Sequence, residues 1–395
     1  MSLSSPTASA AAVPYWRLSS FYLVYFTVTG AFVPYWSVYL KALGYGAVAI
    51  GALMALPMAT KVFAPYLWGW LADRTGRRVG VIQLATLLAG IALAGVALGH
   101  GVWWLAVVVT AFSFFWNAAL PQFEAVTLSH LRHRGEHYYS LVRLWGSIGF
   151  ILSALCLGWL FDWLSITWLP AILVGLLAWL WIASLGVPAP VATGTVVGDH
   201  SLGAVVRQPA VLALLAVCFL MQASHGPYYS FFTLYLRENG YGSGITGVLW
   251  SLGVLAEVGV FLLMHRLLPR FGARRLLLFA TLVTAVRWVL IAGWVRDLPL
   301  LVFGQTLHAA SYGIYHAAAI SLIHKHFPGR LQGRGQALYS SVSFGLGGAF
   351  GSIVSGYVWS GLGPADTYLV GAGFALLGAA IGYWGLPAPA VRAPY

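Results

Sequence analysis

Apolar stretches of about 20 residues follow one another along almost the whole chain, the length that crosses about 30 Å of hydrocarbon at 1.5 Å per helical residue. Twelve such runs are read, the first over 18–40, the tenth over 299–323 and the last over 366–386. They predict an all-α membrane protein of twelve transmembrane helices. One segment breaks the rhythm: residues 187–209, VPAPVATGTVVGDHSLGAVVRQP, hold no strong apolar run and are rich in Pro and Gly, which marks a linker. Six runs lie on each side of it. The expected organisation is a six-helix bundle over 1–186, a linker over 187–209 and a second six-helix bundle over 210–395.

A repeat supports two equivalent halves. YLKALGYG at Tyr39–Gly46 returns as YLRENGYG at Tyr235–Gly242, 196 residues later, and Gly76-Arg77-Arg78 is echoed by Gly272-Ala273-Arg274 at the same offset. Each copy of the first pattern falls in the loop after the first helix of its half. Both halves therefore start from the same side of the bilayer, as parallel repeats do.

Composition agrees with this. Hydrophobic residues make up 60% of the chain and charged residues 8%, against about 25% charged in soluble domains. The net charge of +12 is an orientation signal, not a nucleic-acid surface. With an even number of helices, fifteen Lys and Arg fall on the side of the termini and three (Lys41, Arg237 and Arg296) on the other. The positive-inside rule puts both termini in the cytoplasm. The opening residues lack the basic start of a signal peptide and are expected to be retained. Cys156 and Cys218 lie within apolar runs and read as small buried hydrophobes. No metal site or cofactor is expected, and no GxxxxGK(S/T) loop for ATP is present.

Five formal charges fall inside the predicted helices: Lys61, Glu124, Arg143, Glu257 and Arg287. At about 2.5–3.5 kcal/mol each near a helix centre, such groups must pair or face water. Hairpin geometry estimates their depth, since residues equally far from a turn stand at equal height in antiparallel helices. On that count Glu257, Arg287 and His308 share one level, and Glu124 and Arg143 share another nearer the cytoplasm. Gln305, His308, Tyr312 and Tyr315 recur at helical spacing and predict one polar face with His316 beside it. His225, before Pro227, is a further candidate. Trp145, two residues after Arg143, is the tryptophan best placed for a ligand. The five embedded charges carry an excess of one positive charge, which points to an anionic substrate.

The segment Gly69-Trp-Leu-Ala-Asp73-Arg74-Thr-Gly76-Arg77-Arg78 resembles the loop motif of the major facilitator superfamily between its second and third helices. There, Gly69 would let helices approach, Gly76 make the turn, and Asp73 sit against the positive end of a neighbouring helix, with Arg74, Arg77 and Arg78 anchoring the loop. Phe123-Glu124-Ala125, Arg143-Leu-Trp145-Gly146 and Ala285-Val286-Arg287 look like the fourth, fifth and ninth helices of lactose permease-type proton symporters. Gly304-Gln305-Thr306-Leu307-His308 with His316 is similar to the phenylpropionate permease family. The resemblance implies substrate binding at Glu124, Arg143 and Trp145 and a coupling and binding network of Glu257, Arg287 and His308; embedded charge and helical spacing add Lys61 and Tyr312 to the expected substrate site and His316 to the expected proton-coupling groups. It departs from lactose permease at Ser311 and Gln305, where that group has a carboxylate and a lysine.

The expectation is a secondary transporter working by alternating access, not an enzyme, in the bacterial inner membrane and functional as a monomer. Its partners would be lipid, protons and a small solute such as an aromatic carboxylate. A sugar or nucleoside symporter and a drug exporter stay open as alternatives on the same fold.

Overall fold

The computed structural model describes residues 13–131, 136–189 and 202–387, and most of the expected linker lies outside them. The described residues are helical with no strand. Eleven helices are long and apolar enough to cross a membrane: α1 (Tyr15–Ala42), α2 (Ala47–Thr75), α3 (Arg78–Leu98), α4 (Val102–Leu131), α5 (Tyr138–Leu160), α6 (Ile166–Leu185), α7 (Pro209–Glu238), α8 (Ser243–Phe271) and α9 (Ala273–Trp294), then α11 (Gln332–Gly361) and α12 (Pro364–Gly385). The expected tenth helix, α10, is present but broken into Leu298–Thr306, a π-helical stretch Ala309–Ile314, and Tyr315–His326. Exposed Trp103, Trp163 and Trp384 stand near helix ends, where indoles prefer the membrane interface.

Proline explains two further interruptions. The helix of α2 stops at Thr60 and resumes at Ala64, because Pro65 has no N–H to give to the carbonyl of Lys61. Pro227 likewise removes the donor that would close α7 onto Ala223, so α7 bends at His225. α11 contains a second π-helical stretch, Ser341–Gly347.

The apolar core divides in two. One cluster is built mainly from α1, α3, α4 and α6, the other mainly from α7, α9, α10 and α12. The two meet along α2 against α11 and α5 against α8. These helices cross at backbone distance: a methyl on Gly51 would come within 2.6 Å of the Ser352 carbonyl, and one on Gly158 within 2.6 Å of the Ser243 carbonyl. Nothing larger than hydrogen fits there. Asp162, just past α5, closes the same end by accepting the N–H groups of Ser243 at 2.8 Å and Gly244 at 3.0 Å at the start of α8. The seam thus lies on the side of the 43–46 and 239–242 loops. At the other end the second part of α2 packs on α3 and α4 of its own half.

Candidate functional site

Arg287, on α9, organises one wall of the site and is wholly buried. Its Nε donates to the Gly304 carbonyl at 3.0 Å, Nη1 to Ser311 Oγ at 2.9 Å, and Nη2 to Gln305 Oε1 at 3.1 Å. Nη1 also lies 2.9 Å from His308 Nδ1. The rings of Tyr228 and Trp288 stand 4.4 and 4.6 Å from the guanidinium carbon. No carboxylate lies within 4.0 Å of it among the described residues. Neutral acceptors and two aromatic faces therefore solvate this charge.

A guanidinium only donates, so His308 Nδ1 must accept, and the neutral ring keeps its proton on Nε2. That nitrogen faces Glu257 Oε2 at 3.6 Å. The three residues expected at one level do form a chain: Arg287 sealed at the back, His308 in the middle, Glu257 at the front. Glu257 is the partly exposed member, at 19% against 6% for His308.

The expected stripe on α10 is corrected by the π-helical stretch. Each residue of a π turn advances less than in an α-helix, so the polar face drifts by one position after Tyr312. His316 takes the place expected for Tyr315. His308, Tyr312 and His316 form a ladder of nearly parallel rings, with centroids 5.4 and 5.9 Å apart and planes within 11° and 5°. His316 Nδ1 meets the Tyr339 hydroxyl at 3.0 Å. Tyr315 turns into the core and donates to the Cys218 carbonyl at 3.3 Å. His225 is buried too, with Nδ1 2.7 Å from the Met221 carbonyl, so it carries its proton there.

The facing wall comes from the other half. Arg143 Nε stands 4.0 Å from Glu124 Oε1, and both side chains are about one-third exposed, at 35% and 33%. The guanidinium lies 4.3 Å above the ring of Phe26 and 5.5 Å from that of Tyr22, resting over Gly146, where a methyl would come within 2.8 Å of Nη1. Lys61, at the break in α2, places Nζ 6.0 Å from the Phe344 ring of α11. It has no carboxylate within 4.0 Å among the described residues.

One expected placement differs. Trp145 does not join Arg143: its indole donates to the Tyr15 hydroxyl at 3.0 Å and packs edge-on to Trp16, because two residues along a helix are about 200° around it. Asp73 pairs with Arg78, the first residue of α3, and Arg78 also bonds Gln122 of α4. Gly76 makes the turn at φ 66°, a methyl on Gly69 would stand 3.4 Å from Gln122 Nε2, and Arg74 covers Trp70. Arg77 precedes α3, its backbone N–H 3.4 Å from Thr75 Oγ1. Sequence reasoning missed Phe26 and Phe344, since nothing sets these apart among 21 phenylalanines.

Charges buried among membrane helices in this way mark a substrate or ion path. The MFS_1 like family matches residues 15–370. The chain belongs to that family. It is thus a major facilitator transporter, a multi-pass integral membrane protein for a small-molecule substrate, and not an enzyme. This family member is 30% identical over 347 residues to the "Probable 3-phenylpropionic acid transporter" of Escherichia coli (strain K12), covering 87% of this chain and 90% of that protein. It is 32% identical over 348 residues to the "Maltose permease" of Geobacillus stearothermophilus, covering 86% of each. Its fold matches a crystal structure of the nucleoside transporter NupG, an aspartate-to-alanine mutant, with a TM-score of 0.82 at 18% identity over 93% of this chain and 98% of that one. Within this family member, Ser311 and Gln305, the two departures from the lactose permease pattern, are the neutral groups that hold Arg287.

Proposed function

We propose that the protein is a proton-coupled symporter of a small organic carboxylate, an aromatic acid first of all. Twelve helices in two six-helix halves rock around the central site, with both termini in the cytoplasm of a bacterial inner membrane and the monomer as the working unit. In this reading the seam lies on the outer side and the site faces the cytoplasm.

The observation that carries the coupling is the sealed Arg287–His308–Glu257 chain. Arg287 is buried among its own neutral partners, which leaves Lys61 and Arg143 against Glu124 and Glu257. Those four cancel while Glu257 is ionised. A proton on Glu257 leaves one positive charge uncompensated, and a monoanion restores balance. Proton and carboxylate therefore favour each other's binding. The similarity to a 3-phenylpropionic acid transporter supports the substrate class.

Glu257→Gln, reconstituted in proteoliposomes, is expected to lose proton-driven accumulation while still exchanging substrate across the membrane. Full accumulation by that variant would end the assignment. The similarity to a maltose permease favours a sugar symporter as the second reading. A thermal-shift panel of carboxylates, sugars, nucleosides and drug-like cations separates these readings from each other and from an exporter.

A further inference from the structure

Three independent features meet on Phe344. The first is backbone geometry. α10 and α11 each contain a π-helical stretch, Ala309–Ile314 and Ser341–Gly347. Such stretches give up regular hydrogen bonding, and proteins keep them mostly at functional positions. These two bring the rings of Tyr312 and Phe344 together, 6.3 Å apart and inclined at 55°.

The second feature is the surrounding aromatic lining. Phe344 meets His316 at 5.9 Å and 55° and Tyr339 at 5.8 Å and 81°. None of the three neighbours lies flat on it, and the ring is only partly buried. Phe344 thus stands at the edge of the apolar core, with aromatic rings meeting it at an angle.

The third is charge from the opposite half. Lys61 Nζ stands 6.0 Å from the Phe344 centroid, at the outer limit of a cation–π contact. An ammonium without a carboxylate partner inside a membrane protein marks a substrate or ion path. Gly345, next to Phe344, has no room for a methyl because Val62, next to Lys61, is 2.7 Å from where it would stand. The cation and the ring are therefore held in register across the seam.

We propose that Phe344 and Lys61 form the specificity subsite of the carrier. The planar ring of an aromatic monocarboxylate packs against Phe344 and Tyr312, and its carboxylate lies in the field shared by Lys61 and Arg143. This rests on the carboxylate reading above and adds to it the feature that selects flat rings over saturated ones of similar size.

The test measures binding of 3-phenylpropionate and 3-cyclohexylpropionate to the purified full-length protein. The two acids share the carboxylate and the chain and differ in ring planarity. Wild type is expected to prefer the aromatic acid by about tenfold, the size of an aromatic contact beyond burial alone. Phe344→Leu brings that ratio close to one, and Phe344→Tyr keeps it. Lys61→Met weakens both acids alike and leaves the ratio standing. Should Phe344→Leu not fold, Phe344→Met takes its place. An unchanged ratio in either apolar variant, with wild type binding the aromatic acid, overturns the subsite alone. If wild type binds neither acid, the carboxylate reading falls and the subsite with it.

Discussion

The carboxylate of Asp162 accepts the backbone N–H of Ser243 at 2.8 Å, so the end of α5 in one half caps the start of α8 in the other. A capping carboxylate of this kind stabilises a helix start by about 0.5–2 kcal/mol, with the helix dipole adding to it. Here the helix belongs to the opposite half, so the stabilisation belongs to the closed seam. Asp162→Ala is expected to shift the population toward the state open on that side by about threefold to thirtyfold. Spin labels at positions 41 and 237, in a background without Cys156 and Cys218, report it as a longer distance. An unaltered distance distribution would leave Asp162 as a loop residue only.

The glycine crossings make a complementary prediction. Gly51→Val puts branched carbon where the Ser352 carbonyl already stands, and the seam cannot close around it. Substrate binding is expected to survive within about threefold, while transport falls by at least about tenfold, as overpacking by one or two groups implies. Equal loss of binding and transport would show that the substitution damages the fold instead.

Arg143→Ala is expected to weaken carboxylate binding by more than about tenfold, as loss of a charged partner does. Gly146→Ala tests the same residue indirectly, since the added methyl must displace either Phe26 or the Arg143 guanidinium. An intermediate loss, read by isothermal titration, is the expected result. Normal affinity in both variants moves the anion site away from α5.

Trp145→Phe removes the indole N–H that reaches the Tyr15 hydroxyl. Substrate affinity is expected to stay within about twofold, because a partly exposed bond at the end of α1 contributes only about 1 kcal/mol, and to folding. A tenfold loss of affinity would restore Trp145 to the site.

His308→Ala leaves a buried donor of Arg287 without its acceptor, at a cost of about 1–3 kcal/mol. His308→Gln keeps an acceptor within reach of the guanidinium. The detergent-solubilised alanine variant should therefore melt several degrees below the glutamine variant. Equal melting temperatures would mean that the contact carries no stability.

The helical plan was legible because membrane crossing leaves a long apolar run that few other structures need. The charged positions were legible for the same reason: an ionised residue in such a run has few explanations. What escaped was rotation about the helix axis. Counting along α10 assumes 100° per residue throughout, and one π-helical stretch exchanged Tyr315 for His316. Trp145 failed differently, since nearness in sequence places a side chain across the helix from Arg143. Phe344 gave no signal at all, because its role depends on Lys61 arriving from 283 residues away in the chain.

The sealing of Arg287 has a consequence for idle carriers. A guanidinium does not release its proton at any physiological pH, and this one stands directly behind the His308 ring that faces Glu257. A hydronium that reaches Glu257 with no cargo present finds a fixed positive barrier instead of an onward wire. In the proposed symport cycle the same barrier keeps an unloaded carrier from leaking protons.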